Sequence, residues 1–391
     1  MAATILVVNA GSTGLKFGLY ATVAADTPIP LYRGEFEDFQ ASPRFTVRNA
    51  QGLPVTQHAW REGSVIDHQQ ALQFVMTWLQ REGGGHTVTG AGHRVLIGGP
   101  RFVAPVRVDG EVLDALDQLA AIDPSHQHVN VQGIRAFAAA YPHLPQVACF
   151  DTAFHQTLPA LASLYALPED LRALGVRHWG FHGLSYDYIS RQLPVLLPQA
   201  RRVIVAHLGG GASVCALRDG HSVETSMGFG ALSGLPMATR CGDLPPEVLL
   251  YLLRTGRLDV ASLETLLYQR AGLLGLSGIS GDMRILQDST APTAVTAVAY
   301  FIQAVLKFCG AYVAVLGGLD ALIFTAGIGE HSAPVRAGVC QGLAWLGLQL
   351  DTAANDRQGP RLTLADSPVA AWVVPTDEES MIARYTQALL R

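Results

Sequence analysis

The sequence predicts an α/β protein of two domains around a cleft, built on a duplicated plan. Three observations carry that prediction. The stretch "VVNAGSTGLKFGLY" (Val7–Tyr20) reads as strand, glycine-rich turn and strand. Half a chain later "RRVIVAHLGGGASVCALRDG" (Arg201–Gly220) repeats the pattern and ends on an Asp-Gly hairpin turn. The 391 residues are long enough for two cores, and 49% hydrophobic against 15% charged residues suits a compact body and not a disordered one.

The opening turn is not a P-loop. That motif needs glycine directly before Lys-Ser/Thr and a helix after it, whereas Leu15 precedes Lys16, Phe17 follows, and Lys16–Tyr20 alternates as a strand does. Helices are expected over about 65–81, 111–122 and 129–141, then near 186–193 and 247–254. "QVACFDT" is a strand running into a loop, which places a domain boundary near Asp151. The domains are then 1–150 and 151–379, with a terminal helix at about 380–391 packing back on the first. The stretch "AVTAVAYFIQAVLKFCGAYVAVLGG" is long enough to suggest a membrane span, but Gln303 and Lys307 interrupt it at helical spacing, so a buried core helix from about 292 to 317 is expected. "ALIFTAGIGEHSAPVRAGVC" adds an apolar strand, a loop through Gly327 and Gly329, and a helix starting near 332–334, a setting suited to anionic groups.

Composition narrows the function classes. A net charge of −5 gives no footprint for nucleic acid or acidic membranes, so any anion site must come from a few local groups. Five scattered cysteines without CxxC spacing read as reduced thiols in a cytoplasm and leave no zinc site, and "MAATILVVNAGS" lacks the pattern of a signal peptide.

Candidate groups sit in telling local contexts. "GHRVLIGG" sets Arg94 among glycines, and "ATRCGD" sets Arg240 after the glycine-rich "TSMGFGALSGLPM". "HWGFHGLS" holds His182, and "DPSHQH" holds His126. An arginine beside glycines can present its fork to a carboxylate or phosphate without steric cover. Each has an ordinary alternative: a surface ion pair, a satisfied histidine, a loop cap for Asp151, or a first-turn helix acid for Glu378. Together they fit phosphoryl transfer, in which glycine turns hold phosphates, Asn9 and acids hold magnesium, and cations neutralise the transferring group.

At this point the sequence resembles the acetate kinase family. "VVNAGSTGLKF", "GHRVLIGG", "CFDTAFHQTLP", "GFHGLSYDYIS", "HLGGGAS", "TSMGF…TRCGD", "FTAGIGEHS" and "VVPTDEESMIAR" match its motifs in order, from about Leu6 to Arg384. The resemblance implies an actin-like, sugar-kinase-type (ribonuclease H-like) duplicated fold, a homodimer, and transfer of phosphate from Mg-ATP to acetate to form acetyl phosphate. It implies a metal site at Asn9 and Glu378 for Mg2+, with Mn2+ as a substitute, and a phosphate contact at Lys16. Arg94 would bind the substrate carboxylate, Arg240 and His182 would stabilise the transition state, and His126 would touch the phosphoryl group. Asp151 matches the family's catalytic acid. The ATP/ADP loops would be His207, Leu208, Gly209, Gly210 and Gly211; Asp282, Met283 and Arg284; and Gly327, Ile328, Gly329, Glu330 and His331.

The sequence departs from the family in places. Gly14 stands where serine is usual, Gly210 where asparagine is usual, and His126-Gln127-His128 replaces His-Asn-Pro. The two glycine changes remove side-chain donors near the phosphates but leave backbone N–H groups, so they bear on nucleotide preference more than on reaction type. The positions lining the acyl methyl are Leu96, Ser125, Phe181 and Ala231, where valine, leucine, phenylalanine and proline are usual. Because a short carboxylate is ionised at pH 7, it needs no general base, and Asp151 reads better as an orienter of Arg94 or of metal-bound water. The rivals are a propionate or other short-chain carboxylate kinase, a sugar kinase with Asp151 as base, and a non-catalytic actin-like nucleotide-binding protein. The last would not need Arg94, Arg240 and His182 together.

Overall fold

Strand β1 (Ala3–Ala10) is buried without a break from Thr4 to Val8, the mark of a strand covered on both faces. The structure, a computed structural model, describes the chain except residues 1–2, 11–13, 26, 40–41 and 83–84, and gives Pro124 and Ser125 by backbone alone. The chain divides into two compact units, Met1–Phe154 with Asp377–Arg391, and His155–Thr376.

In the first unit β1 is followed by β2 (Leu15–Ala21), β3 (Ile29–Glu37), β4 (Arg44–Asn49) and β5 (Pro54–Ala59), an antiparallel meander. β3 to β5 were not read from the sequence: β3 is mostly half-buried and β5 mostly exposed, without clean alternation, while β4 alternates over only six residues, with Phe45 and Val47 buried. Helix α1 (His68–Arg81) then covers one face. It starts three residues later than expected because Asp67 and Gln70 form a reciprocal cap. Its buried Ala71, Leu72, Val75, Met76, Trp78 and Leu79 meet Phe17, Phe36 and Phe45 of the sheet.

β6 (Thr87–Val95), β7 (Val106–Arg107), α2 (Gly110–Gln118), α3 (Pro124–Ala140) and β8 (Gln146–Phe150) complete the run. α3 begins five residues earlier than expected, since Asp123 caps it and Pro124 supplies a preset first turn. The sheet order is β5-β4-β3-β2-β1-β6-β8-β7, with β6 and β8 parallel to β1.

The second unit opens with α4 (Glu169–Ala173) and α5 (Gly183–Leu196), then β9 (Arg202–Leu208), β10 (Ala212–Arg218) and β11 (His221–Thr225). Asp219 and Gly220, both at positive φ (52° and 79°), make the expected hairpin turn into β11. Helices α6 (Pro246–Arg254), α7 (Val260–Thr265), α8 (Gly272–Ser277), α9 (Met283–Asp288) and α10 (Pro292–Leu316) follow. Next come β12 (Ala321–Thr325), α11 (Ala326–His331), α12 (Ala333–Gly342), α13 (Thr352–Asp356) and β13 (Ala370–Val373). The sheet order is β11-β10-β9-β12-β13. Strand for strand, β11-β10-β9-β12-β13 repeats β3-β2-β1-β6-β8 in order and direction. The duplication expected from the two glycine hairpins is therefore present in the topology.

Two expectations are corrected. The Gly327–Gly329 segment is not a loop: it forms α11, and the turn into it passes through Ala326 at φ 63°. α10 is also less enclosed than a core helix. One face, from Ala294 through Phe301, Val305 and Cys309 to Leu316, packs inward, while Val295, Tyr300, Gln303, Lys307 and Val315 face out. By length and hydropathy this helix could cross a membrane, but its inner face is committed to β9 and β10.

The chain closes with α14 (Glu378–Leu390), which lies across β1, β2 and β6. It can lie that close because β6 carries Gly90 and Gly92. A Cβ on either would come within 2.2 Å of Leu390 or Thr386.

Candidate active site

The second unit gathers the three nucleotide stretches expected from the sequence. A cavity of about 470 Å³ is lined by Gly209 and Gly210 after β9, by Asp282, Met283 and Arg284 at the start of α9, and by Gly327, Ile328 and His331 of α11. Its size suits a small organic ligand. Ala238, Gly281, Gln287 and Ser332 line it too and were missed in the sequence, where their only signal is nearness to the glycine-rich segments. Asp282 caps α9 through the Arg284 N–H and pairs with the Arg284 guanidinium at 2.6 Å, which holds its carboxyl below the usual range.

Several expected contacts lie elsewhere. The Leu208 side chain is buried in the sheet, and Gly329 is buried within α11. The Glu330 carboxylate turns back to accept the N–H groups of Ala326 at 2.9 Å and Thr376 at 3.3 Å. Its work is to close the strand-to-helix turn. The His207 ring stacks on His182 at 4.1 Å, with its Nδ1 2.9 Å from Ser185 Oγ. The Thr376 hydroxyl donates to Ser185 in turn.

His182 stands at the N-terminus of α5 with a left-handed backbone, φ 58° and ψ 23°. Such a conformation costs a non-glycine residue on the order of 1 kcal/mol and clusters at ligand sites. Its Nδ1 lies 2.8 Å from Ser213 Oγ on β10, and Ser213 also bonds the buried Tyr186 hydroxyl. Nε2 lies on the side of Gly211. A Cβ on Gly211 would sit 3.2 Å from His182 Nε2 and 3.2 Å from an Arg240 terminal nitrogen, so the two groups converge there. Arg240 is braced by donating Nη1–H to the Ala231 carbonyl at 2.8 Å. Ala231 and Phe181 are both buried.

His155, unassigned in the sequence reading, underpins this arrangement. Its Nε2 meets the Phe181 carbonyl at 2.9 Å and its Nδ1 meets Ser222 Oγ at 2.8 Å. Burial pushes its pKa down to about 4, so it is a neutral bracket at pH 7.

The first unit holds the other candidates. Arg94, near the end of β6, grips the fully buried Asp151 in a fork, with Nε at 3.1 Å and Nη2 at 2.6 Å. Its Nη1 lies 3.4 Å from Glu378 Oε2 at the start of α14. Burial works against the guanidinium's charge, but Asp151 and Glu378 outweigh it and raise the pKa further above the usual arginine value. Asn9 on β1 is the cross-strand partner of Lys16 on β2, and the Lys16 side chain is exposed. The turn between them, 11–13, lies outside the described residues.

His126 is the third residue of α3 and not a loop residue, and its Nδ1 lies 2.9 Å from Asp123 Oδ1. Its neighbour Gln127, a departure from the family pattern, is turned inward. It is fully buried, accepts the Ile97 N–H, and donates to the Ile97 and Leu116 carbonyls. Asn130 accepts the Leu96 N–H and donates to the Ala10 carbonyl, which ties the segment after Arg94 to the end of β1. The Ser125 side chain lies outside the described residues.

The two glycine departures differ in kind. A Cβ on Gly14 would sit 2.3 Å from the Phe36 carbonyl oxygen, whereas one on Gly210 meets nothing within 4 Å. Gly14→Ser is therefore expected to lower stability by about 1–3 kcal/mol. Gly210→Asn should stay within about 0.5 kcal/mol of the parent. Urea unfolding of both variants checks the pair, and equal losses would contradict it.

The comparisons with known proteins agree with this arrangement. Residues 4–384 match the Acetokinase family. The acetate kinase of Rhodopseudomonas palustris is 45% identical over 100% of this chain and 99% of its own. A crystal structure of a propionate kinase from Francisella tularensis is 33% identical with a TM-score of 0.91, covering 99% of each chain. That of Porphyromonas gingivalis acetate kinase is 32% identical with a TM-score of 0.88, covering 100% of each. The repeated strand order is thus the duplicated actin-like fold of these kinases. With the family's profile and full-length relatives agreeing over the same residues, the chain belongs to the acetokinase family.

Proposed function

We propose that the protein is an acetate kinase: a phosphotransferase with a carboxyl group as acceptor, which moves the terminal phosphoryl group of ATP to acetate and runs in reverse. The observation that carries this reading is the convergence of Arg240 and His182 Nε2 beside Gly211. Gly211 closes the turn whose Gly209 and Gly210 line the cavity.

ATP takes that cavity. The acetate carboxylate, ionised at neutral pH, binds Arg94, whose Nε edge is spent on Asp151 and whose Nη1 lies 3.4 Å from Glu378. An acetate oxygen forms its bond to phosphorus as the bond to the bridging oxygen of ADP breaks, in line and without proton transfer. Charge repulsion between carboxylate and phosphates is the main obstacle. Arg240 and His182 offset it at the transferring group, with His126 and Lys16 as further phosphate contacts. Asp151 orients Arg94.

Among the described residues no three His, Cys, Asp or Glu side chains gather to cage a metal. Glu378 with the amide oxygen of Asn9 instead fits Mg2+, which is held through one or two protein oxygens and completed by phosphates and water. Mg2+, or Mn2+ in its place, supplies positive charge to the phosphate oxygens when bound. The exposed apolar face of α10, with Val295, Tyr300 and Val315, together with the exposed Leu250 and Tyr251 of α6, suits coverage by a second copy in a homodimer. Its free thiols suit a cytoplasmic setting.

The test is ADP release with acetate, propionate, butyrate and glucose, with hydroxylamine trapping any acyl phosphate. One methylene is worth roughly 1–3 kcal/mol in an apolar pocket. Acetate is expected to be best, propionate accepted at lower kcat/KM, and butyrate poor. Butyrate above acetate would move the protein to longer acids, and glucose turnover without acyl phosphate would overturn the reading.

A further inference from the structure

Three acids in succession, Asp377, Glu378 and Glu379, bring α14 to its first turn. The middle one faces Arg94. The outer two are both held by Arg33 on β3, a residue that the proposed reaction leaves unused. Arg33 forms an ion pair with Asp377 through Nη2, and its Nε lies 3.8 Å from Glu379 Oε2. Nη2 also reaches the buried Tyr20 hydroxyl at 3.5 Å.

Space has been left for this arrangement. Gly18 is the partner of Arg33 in the β2–β3 ladder, and a Cβ there would come within 3.0 Å of Glu379 Oε2 and 2.6 Å of the Tyr20 ring. That buried Oε2 has no hydrogen-bond partner among the described residues, so the Arg33 charge is its nearest compensation. Adjacent carboxylates repel, and the helix N-terminus offsets only part of that. Asp377 is the N-cap of α14, outside its helical backbone, and Glu379 lies in the first turn, so the two flank Glu378 along the chain. A single guanidinium bridging Asp377 and Glu379 therefore pins the turn on both flanks of Glu378.

From this geometry we infer that Arg33 is a positioning residue: through Asp377 and Glu379 it sets the first turn of α14 and so places the Glu378 carboxylate beside Arg94. The inference rests on the reading that Glu378 serves the metal. Lysine can supply the charge but cannot bridge the two acids with separate nitrogens.

The test uses the whole enzyme with Arg33→Met, Arg33→Lys and Glu378→Gln. Arg33→Met is expected to lower kcat and to weaken Mn2+ binding in the presence of ADP, read by electron paramagnetic resonance, each by about tenfold. Arg33→Lys should recover part of both, and the KM for ATP should stay near the parent value. If Arg33→Met does not fold, Asp377→Asn cuts the same ion pair and is expected to shift both readouts the same way. Should Glu378→Gln impair both while Arg33→Met impairs neither and only lowers Tm, the positioning role is wrong. Should Glu378→Gln itself leave Mn2+ binding and kcat intact, the reading of Glu378 is what fails.

Discussion

Arg240→Ala and His182→Ala are each expected to lower kcat by on the order of a hundredfold or more, with a smaller effect on the KM for acetate. The reason is where they point. Both terminal nitrogens meet beside Gly211, at the turn that lines the cavity, and each is held there by another group. Arg240 is braced by the Ala231 carbonyl, and His182 by Ser213 and the His207 ring. A donor fixed in advance stabilises charge that develops in the transition state without reorganising. Arg240→Lys should rescue little, since a point charge cannot reproduce a fork. Steady-state kinetics with saturating ATP decides the matter: an alanine variant with near-normal kcat and only a raised acetate KM would show that the group binds substrate and does no more.

The second large effect is expected at Asp151. Its carboxylate is fully buried and spends both oxygens on Arg94. Removing one member of a buried ion pair strands the other, at a cost of about 3–5 kcal/mol. Asp151→Ala should therefore lose that much stability in urea unfolding and lose most activity besides. Asp151→Asn keeps the shape and separates two roles. If Asp151 only orients Arg94, the asparagine variant raises the KM for acetate and leaves the form of the pH–rate profile unchanged. A proton acceptor would instead show itself by the disappearance of the profile's acidic limb.

Much of this site was legible in the sequence because its parts are local. A glycine turn between two apolar runs announces a hairpin whatever surrounds it, and both hairpins lie where their patterns placed them. Arg94, Arg240 and His182 stood out through their glycine neighbours, and the ordered motifs carried the family. What local pattern could not convey was direction. Glu330 belongs to a phosphate-like motif, yet its carboxylate serves backbone N–H groups. Gln127 stood out only as a departure from the family pattern, and no spacing told that it would clasp Ile97 and Leu116. α10 read as a core helix because apolar content says nothing about how many of its faces are covered, and one of them is exposed.

The sequence by itself determined the class of fold, the duplication, the family, and the residue types available for phosphoryl transfer. Each of these depends on composition, periodicity or motif order, which survive in one dimension. Only the tertiary structure decided which groups share a partner. Asp151 with Arg94 spans 57 residues, and Arg33 with Asp377 spans 344. Pairings of that kind arise where β6 meets β8 and where the first turn of α14 comes down beside Gly18 of β2 and its ladder partner Arg33. No spacing in the chain encodes them, because a charge is steered by whatever the packed backbone brings within a few ångströms of it.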